Sequence, residues 1–433
     1  MSEATAVDGS FDVIVIGGGI IGRSVASSAA RRGLSVVVVE AGGSTFGTSS
    51  ANAGHLVPSH RVPFASPGMV RAGLHSLITR DGAFSIARHG AWRLAPWLWR
   101  FARSSTPANV ARGVPVLRTL LDTTVAEVHR LRDAGADLDF AAGGIVQVCD
   151  SEKSFAGLRH EALVWGKWGV HTEEWSAPKL LAEEPSLRDS VKGAVLLADD
   201  ARFDPAAMLA AVTEEGRAHG VVTMNEQARR LESRGDRHVR VHTSARTVDA
   251  RQVVVAAGVW TPGLCATMGV RLPIAAARGD SVTLPAEMGV SPSRALLLVD
   301  QRLAVNPLAN GLRITGGFRL TRTADREVNA RRTVELVRRA GEVLRLAPDA
   351  APRNAWTGLR PATPDGLPII GRLPGCPAVI VAAGHGMLGS STGPGTGEAV
   401  AALLTGAPSP IDEGPVSPAR YTRRQAHGKD GTR

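Results

Sequence analysis

The stretch that decides the fold is Phe11-Asp-Val-Ile-Val-Ile16, Gly17-Gly-Gly19-Ile-Ile-Gly22, Arg23-Ser-Val-Ala-Ser-Ser-Ala-Ala-Arg-Arg32, Gly33-Leu and Ser35-Val-Val-Val-Val-Glu40. The first run is almost continuously β-branched, the pattern of a strand buried on both faces of a parallel sheet. A small-residue helix follows and is stopped by Gly33; a second all-valine strand ends on Glu40. Gly17 permits the tight turn, Gly19 lets the backbone approach a pyrophosphate at the helix N-terminus, and Gly22 allows close helix–strand packing. Ile20 and Ile21, which open the helix, and Glu40-Ala41, which close the second strand, border the same site. The Glu40 carboxylate suits ribose hydroxyls and disfavours a 2′-phosphate. The four features together predict a bound dinucleotide.

Working outward, 433 residues allow two or three domains, and 44% apolar with 21% charged residues is ordinary globular composition. Cys149, Cys265 and Cys376 are widely spaced without a CxxC pair, so neither a disulfide framework nor a metal site is expected. The opening residues lack a basic and then apolar leader, and no apolar run approaches the roughly 18 residues of a membrane span. A soluble cytoplasmic protein is the expectation. The net charge of +10 is almost all arginine spread along the chain; lysine occurs only at positions 153, 167, 179, 192 and 429. Without a basic block or a basic–aromatic platform, nucleic acid is not expected as a partner.

Residues 1–10 read as a frayed lead-in, 41–68 as loop and 70–135 as mainly helical. Strands are predicted over 143–148, 194–197, 252–258 and 379–383, with a helix from Pro205 to about Ala218. A hairpin is predicted over Leu303–Leu320, turning at Asn310-Gly311. Further predictions are a long helix from Asp325 to Leu346, a Pro/Gly loop over Pro361–Gly371, a final helix over Glu398–Leu404, and a disordered tail over 411–433. The segment Trp92–Arg103 reads either as a packed helix with arginines reaching to solvent or as an interfacial membrane helix. Packing is preferred because Pro96 interrupts the periodicity.

Four later motifs select the cofactor. Thr48-Ser-Ser-Ala-Asn-Ala-Gly-His55, Val253-Val-Val-Ala-Ala-Gly258, Trp356-Thr-Gly-Leu-Arg-Pro-Ala-Thr-Pro-Asp-Gly366 with its continuation to Gly371, and Gly384-His-Gly-Met-Leu-Gly389 occur in that order. Together they resemble the D-amino acid oxidase superfamily of FAD proteins, nearest to its bacterial D-amino acid and D-hydroxyproline dehydrogenase branch. The resemblance spans residues 11 to 405 and implies an α/β protein. A Rossmann-like FAD-binding domain (8–90, 196–265, 346–410) would sit beside an α+β substrate domain on a mixed sheet (91–195, 266–345), both discontinuous in sequence.

By the same resemblance, Ser49, Ser50, Asn52, Ala53, Gly54 and Leu56 line the flavin, with Ala228 and Gly258. Gly386, Leu388 and Gly389 meet the ring edge, where a helix N-terminus opposes the negative charge of reduced flavin. FAD is expected to be non-covalent, because no cysteine precedes the Thr363-Pro-Asp365 motif at the spacing used by covalent relatives. Arg360 is assigned to the substrate carboxylate, a planar fork meeting a planar anion. His55, Met387 and Asp280 complete the catalytic candidates. His55 and His385 have the alternative of satisfying a backbone carbonyl, and Asp280, standing where relatives carry tyrosine or glutamate, that of an exposed loop acid. Tyr421, the sole tyrosine, falls in the expected tail.

The implied activity is oxidation of a D-amino acid, a cyclic one such as D-proline or hydroxy-D-proline included, by hydride transfer from Cα to flavin N5. The absence of lysine from the flavin motifs favours a dehydrogenase using a quinone or redox partner, with peripheral contact at the inner face of a membrane left open. An oxidase of glycine, sarcosine or another secondary amine is the nearer alternative; a flavin-binding RNA-modification or partner module is the distant one. Oligomeric state is not legible.

Overall fold

The computed structural model describes residues 11–42, 47–68, 85–86, 91–235, 238–286, 291–321, 327–347 and 350–422. Strand β1 (Phe11–Ile16), helix α1 (Ile20–Arg31) and strand β2 (Val36–Val39) form where the opening stretch predicts them. β1 lies between β2 and β4 (Thr247–Val255), parallel to both, with Val13–Ile16 against Val36–Val39 on one side and Gln252–Val255 on the other. β3 (Val222–Met224) extends the sheet beyond β2. β9 (Cys376–Ala383) pairs parallel with the C-terminal end of β4, and β8 (Ile369–Leu373) is antiparallel to β9. Alternate residues of β1 enter opposite cores. Val13 and Val15 pack under the helices with Val25, Leu117, Leu120 and Val400, whereas Ile14 and Ile16 meet Leu231, Val241 and Val379. Each such side chain removed from water is worth about 1.5–3 kcal/mol, which is why both faces of these strands read as uninterrupted β-branched runs.

The helical layer on this sheet contains α1, α2 (Pro107–Asp133) and α4 (Gly389–Thr405). α4 is longer than the sequence reading: the helix predicted over Glu398–Leu404 begins at Gly389, so the glycine-rich segment Gly389–Gly397 is its first half. Its glycines are contact points. A Cβ on Gly395 would lie 2.2 Å from the Leu120 carbonyl oxygen, and one on Gly397 would lie 2.7 Å from that of Ser24. Tertiary packing overrides the weak helix propensity of glycine here. α3 (Pro205–Ala218) also follows prediction, with the Asp204 carboxylate accepting from the Ala206 N–H as its N-cap.

The second sheet is nine-stranded and mixed. β7 (Arg353–Ala362), β5 (Ala275–Pro285) and β6 (Gly311–Thr321) lie at one side. Leu303–Leu308, Ala295–Leu298, Ile145–Cys149, Gly193–Leu197 and Thr172–Ser176 follow in order, with Ser85–Ile86 beside β6. The Leu303–Thr321 hairpin therefore forms as predicted. Several boundaries differ. β7 belongs to this second sheet, although the expected cofactor domain took in everything from residue 346. α2, expected in the substrate domain, buries Val116, Leu117, Leu120 and Leu121 against the first sheet's helices. Pro361 sits inside β7, and Ile369–Gly371 inside β8, where a loop was expected. The long helix spans Ala330–Ala340, capped by Asn329, whose side-chain oxygen accepts from the Arg332 N–H.

The expected tail is ordered as far as Thr422. Ile411 and Val416 are buried, and Arg420 Nε donates to Asp365 Oδ2 at 2.7 Å. Residues 423–433 and the expected lead-in 1–10 lie outside the described residues. The tryptophan–arginine segment forms a helix over Ala95–Ser104 anchored by buried Trp97, whose Nε1 donates to the Pro273 carbonyl at 3.1 Å. Trp92 and Trp99 are exposed beneath the guanidinium groups of Arg93 and Arg103. No helix among the described residues is long and apolar enough to cross a membrane.

Candidate active site

A cavity of about 890 Å³ runs from the glycine turn after β1 to the face of the second sheet at Arg360, near the upper end of the roughly 300–1,000 Å³ usual for ligand and cofactor sites. Its first wall is dictated by backbone. Gly17 has φ +112°, and a Cβ there would lie 2.4 Å from the Ala256 carbonyl oxygen, so only glycine makes this turn. A Cβ on Gly22 would lie 1.9 Å from the Gly17 carbonyl oxygen. Gly22 thus packs helix on strand rather than lining the cavity. Gly19 is the uncapped N-cap of α1, and the Ser49 hydroxyl accepts from the Ile20 N–H at 2.9 Å beside it. Glu40, at the end of β2, accepts from the Gly18 N–H through Oε2 and from the Gly42 N–H at 3.3 Å through Oε1. A carboxylate is thereby fixed one strand away from a helix N-terminus.

Of the expected site residues, Gly17, Gly19, Ile20, Ile21, Glu40, Ala41, Ser49, Asn52, Ala228, Gly258, Gly386, Met387, Gly389 and Arg360 line this one cavity. Asn52 is held by donation from Nδ2 to the Ser49 carbonyl (2.9 Å) and to Ser390 Oγ (2.8 Å), tying the loop before His55 to the start of α4. Ser50, Ala53, Gly54, Leu56 and Leu388 stand behind the lining instead. Leu56 is a core residue, and the Ala53 carbonyl accepts from Asn306 Nδ2. The sequence reading missed Trp260, Val259, Gly263, Leu359 and Arg229, which also line the cavity. Trp260 follows Val253–Gly258 by two positions and is 46% exposed at the rim, as is Met387 at 54%.

Arg360 projects from β7, opposite Ala277 of β5. Its Nη1 donates to the Gly317 carbonyl at 2.7 Å, and burial lowers its pKa to about 10, opposed by the nearby Asp280 charge. It remains a cation at neutral pH, with no carboxylate in ion-pair contact among the described residues. Asp280 itself requires correction. It pairs in register with Thr357, on the face of the sheet away from Arg360, where Thr357 Oγ1 donates to it at 2.6 Å and Arg278 forms a 3.2 Å ion pair with it. The acid serves the strand pairing and does not line the cavity.

His55 also lies off the cavity. Its Nε2 donates to the Val305 carbonyl at 3.2 Å, and burial lowers its pKa to about 4. His385 does line the cavity. Thr396 Oγ1 donates its proton to the Thr392 carbonyl, so the 3.0 Å contact with His385 requires the hydrogen on Nε2. Burial pushes this ring down to about 3. Both imidazoles are neutral near pH 7, so neither supplies a cation to the site.

The sequence profile of the FAD dependent oxidoreductase (DAO) family matches residues 12–403. The chain belongs to this family. Curated relatives include a D-amino acid dehydrogenase of Rhizorhabdus wittichii, 29% identical with 94% of this chain and 100% of the relative covered. Another, from Cereibacter sphaeroides, is 30% identical with 94% and 95% covered. Among solved structures, glycine oxidase from Geobacillus kaustophilus aligns with TM-score 0.74 at 24% identity, covering 94% of this chain and 98% of that one. L-proline dehydrogenase from P. horikoshii aligns with TM-score 0.71 at 19% identity, covering 96% and 98%. These two alignments establish a shared fold. FAD is the cofactor of the family, and the residues present fit it. The Gly17–Gly22 cradle and α1 N-terminus suit the pyrophosphate, Glu40 the ribose, and the Gly386–Ser390 end of α4 the ring.

Proposed function

We propose that this FAD dependent oxidoreductase is a D-amino acid dehydrogenase that binds its substrate carboxylate through Arg360. The observation carrying the reading is a half-buried guanidinium on the cavity wall that donates to the Gly317 backbone carbonyl and, among the described residues, meets no carboxylate. The D-configuration follows the curated relatives. Non-covalent FAD, when bound, supplies the two-electron acceptor for the Cα–H bond. The chain's contribution is then mainly positioning, which can provide much of a rate enhancement. With His385 neutral and His55 off the cavity, the lining holds no imidazolium, so the amine enters unprotonated and kcat/KM rises with pH toward the amine's own pKa. An acyclic imine leaves and hydrolyses; a cyclic one, from D-proline or hydroxy-D-proline, persists.

Among the described residues no lysine or cysteine lines the cavity. That supports non-covalent flavin and a quinone or redox partner as acceptor in place of oxygen. Exposed Trp92 and Trp99 beside Arg93, Arg100 and Arg103 support peripheral contact with an anionic membrane surface. The test is a panel of D- and L-amino acids with an artificial dye, run in air and without it. Turnover of D-substrates by dye alone is expected. Dye-independent peroxide release from glycine or sarcosine would replace the dehydrogenase by an oxidase, and preference for L-substrates would overturn the stereochemistry.

A further inference from the structure

Arg360 lies above a part of the sheet where side chains have been removed. A Cβ built on Gly279 would lie 2.2 Å from Arg360 Nη1 and 2.5 Å from both Cζ and Nη2; its three nearest atoms all belong to that guanidinium. Gly279 is paired with Gly358 of β7, where a Cβ would strike the Trp356 ring at 1.8 Å. On its other side, Gly279 stands opposite a bulge. β5 has one residue between Arg278 and Asp280 where β6 has Gly317 and Phe318 between Gly316 and Arg319. Gly317, at φ +84°, turns its carbonyl to the Arg360 Nη1 donor.

We propose that Gly279 is a positioning residue for substrate binding: its bare backbone seats the Arg360 guanidinium, the Gly317 carbonyl anchors one edge, and the remaining N–H donors are held for a carboxylate. This rests on the Arg360 reading above and adds that the arginine's aim is set by neighbouring glycines. Gly279 has no left-handed φ, so alanine fits its backbone, and the atoms in the way are the movable end of a long side chain. Gly279→Ala therefore keeps the fold and displaces the guanidinium by an ångström or more.

The experiment uses the FAD-loaded enzyme. Wild type, Gly279→Ala, Arg360→Ala and the double variant are titrated with a simple carboxylate lacking an amine, such as propionate. The perturbation of flavin absorbance is read without turnover, and D-amino acid kinetics are measured alongside. Gly279→Ala is expected to retain flavin, to weaken carboxylate binding and to lower kcat/KM roughly ten- to hundredfold, mainly through KM. In the double variant it adds nothing to the loss from Arg360→Ala, because the two residues act as one unit. Wild-type carboxylate affinity in Gly279→Ala, or an additive loss in the double variant, overturns the proposal while leaving the Arg360 reading intact. Unchanged affinity in Arg360→Ala overturns both. If Gly279→Ala alone fails to fold, recovery of folding in the double variant supports the steric seat, and failure of both variants refutes it.

Discussion

Replacing Gly393, Gly395 and Gly397 of α4 one at a time by alanine separates two physical effects that usually act together. Helix propensity alone makes each Gly→Ala change stabilising by about 0.8–1.0 kcal/mol. The contacts predict otherwise, and differently for each. At Gly393 a Cβ would lie 3.1 Å from Ile20 Cγ1, a side-chain atom that can yield, so the net effect there is near zero or slightly favourable. At Gly395 and Gly397 the obstacles are the carbonyl oxygens of Leu120 and Ser24, at 2.2 Å and 2.7 Å, which no rotamer change relieves. Overpacking a rigid site costs typically about 1–3 kcal/mol, and the shorter, purely backbone contact at Gly395 belongs at or above the top of that range. Separating α4 from α1 and α2 also moves Gly389 and Ser390 relative to Ile20 and Ile21 across the cavity, so flavin affinity falls with stability. Chemical denaturation of the apoprotein with flavin titration should rank the variants wild type ≈ Gly393→Ala > Gly397→Ala > Gly395→Ala. A Gly395→Ala protein as stable as wild type would refute the argument that glycine is here for interhelical approach.

Arg360→Ala should lose on the order of a hundredfold in kcat/KM toward a D-amino acid, since charge-assisted hydrogen bonds contribute about 1.5–3 kcal/mol each; flavin content stays normal. Equal impairment toward an amine without a carboxylate would show that the arginine is structural. Gly19→Val should yield folded, colourless protein, because a branched side chain beside the Ser49 hydroxyl occupies the cradle; full flavin content in that variant would place the dinucleotide elsewhere. The acid response of stability carries a third test. His385, buried with its pKa near 3, binds fewer protons folded than unfolded between that value and about 6.5, so its contribution is full at neutral pH and is lost as pH falls through that window. Asp200, pushed up to about 7 by burial, has the opposite slope. The histidine effect is therefore read as the difference between wild type and His385→Gln, which should flatten on the acid side. Parallel pH curves would refute it.

The opening βαβ unit was legible because its strands are buried on both faces and Gly17 and Gly22 each answer a backbone contact. That makes composition and geometry say the same thing at Gly17 and Gly22. The place of Arg360 on the cavity wall was legible from its motif, since residue type alone does not mark one guanidinium among the forty-odd arginines of the chain. α4 was misread because its glycines are explained by Leu120 and Ser24, residues far away in the chain. β7 was hidden by Gly358 and Pro361, which break a strand pattern, although Gly358 leaves room for the Trp356 ring and Pro361 is still paired within the strand. Asp280 was misplaced because one strand's sequence does not show which of its faces meets Arg360; the pairing of Asp280 with Thr357 and of Ala277 with Arg360 does. Trp260 carried a sequence signal in its place, an aromatic two positions past a buried-looking strand, and the structure sets it at the cavity rim.

The first sheet is assembled from widely separated stretches of the chain. β1 and β2 are complete within forty residues, yet the strand that flanks β1 on its other side ends at Val255, and that strand's parallel neighbour ends at Ala383. The clasp between Arg420 and Asp365 closes later still. On a ribosome, the glycine cradle therefore emerges long before the wall it needs, with valine edges that only distant partners can cover. Loop-closure entropy is spent before those contacts form, the circumstance that slows folding and exposes strands to wrong pairing. The cavity lining is complete only once Ser390 has been made, and a truncation at residue 410, harmless for a loose tail, would remove the clasp on Asp365.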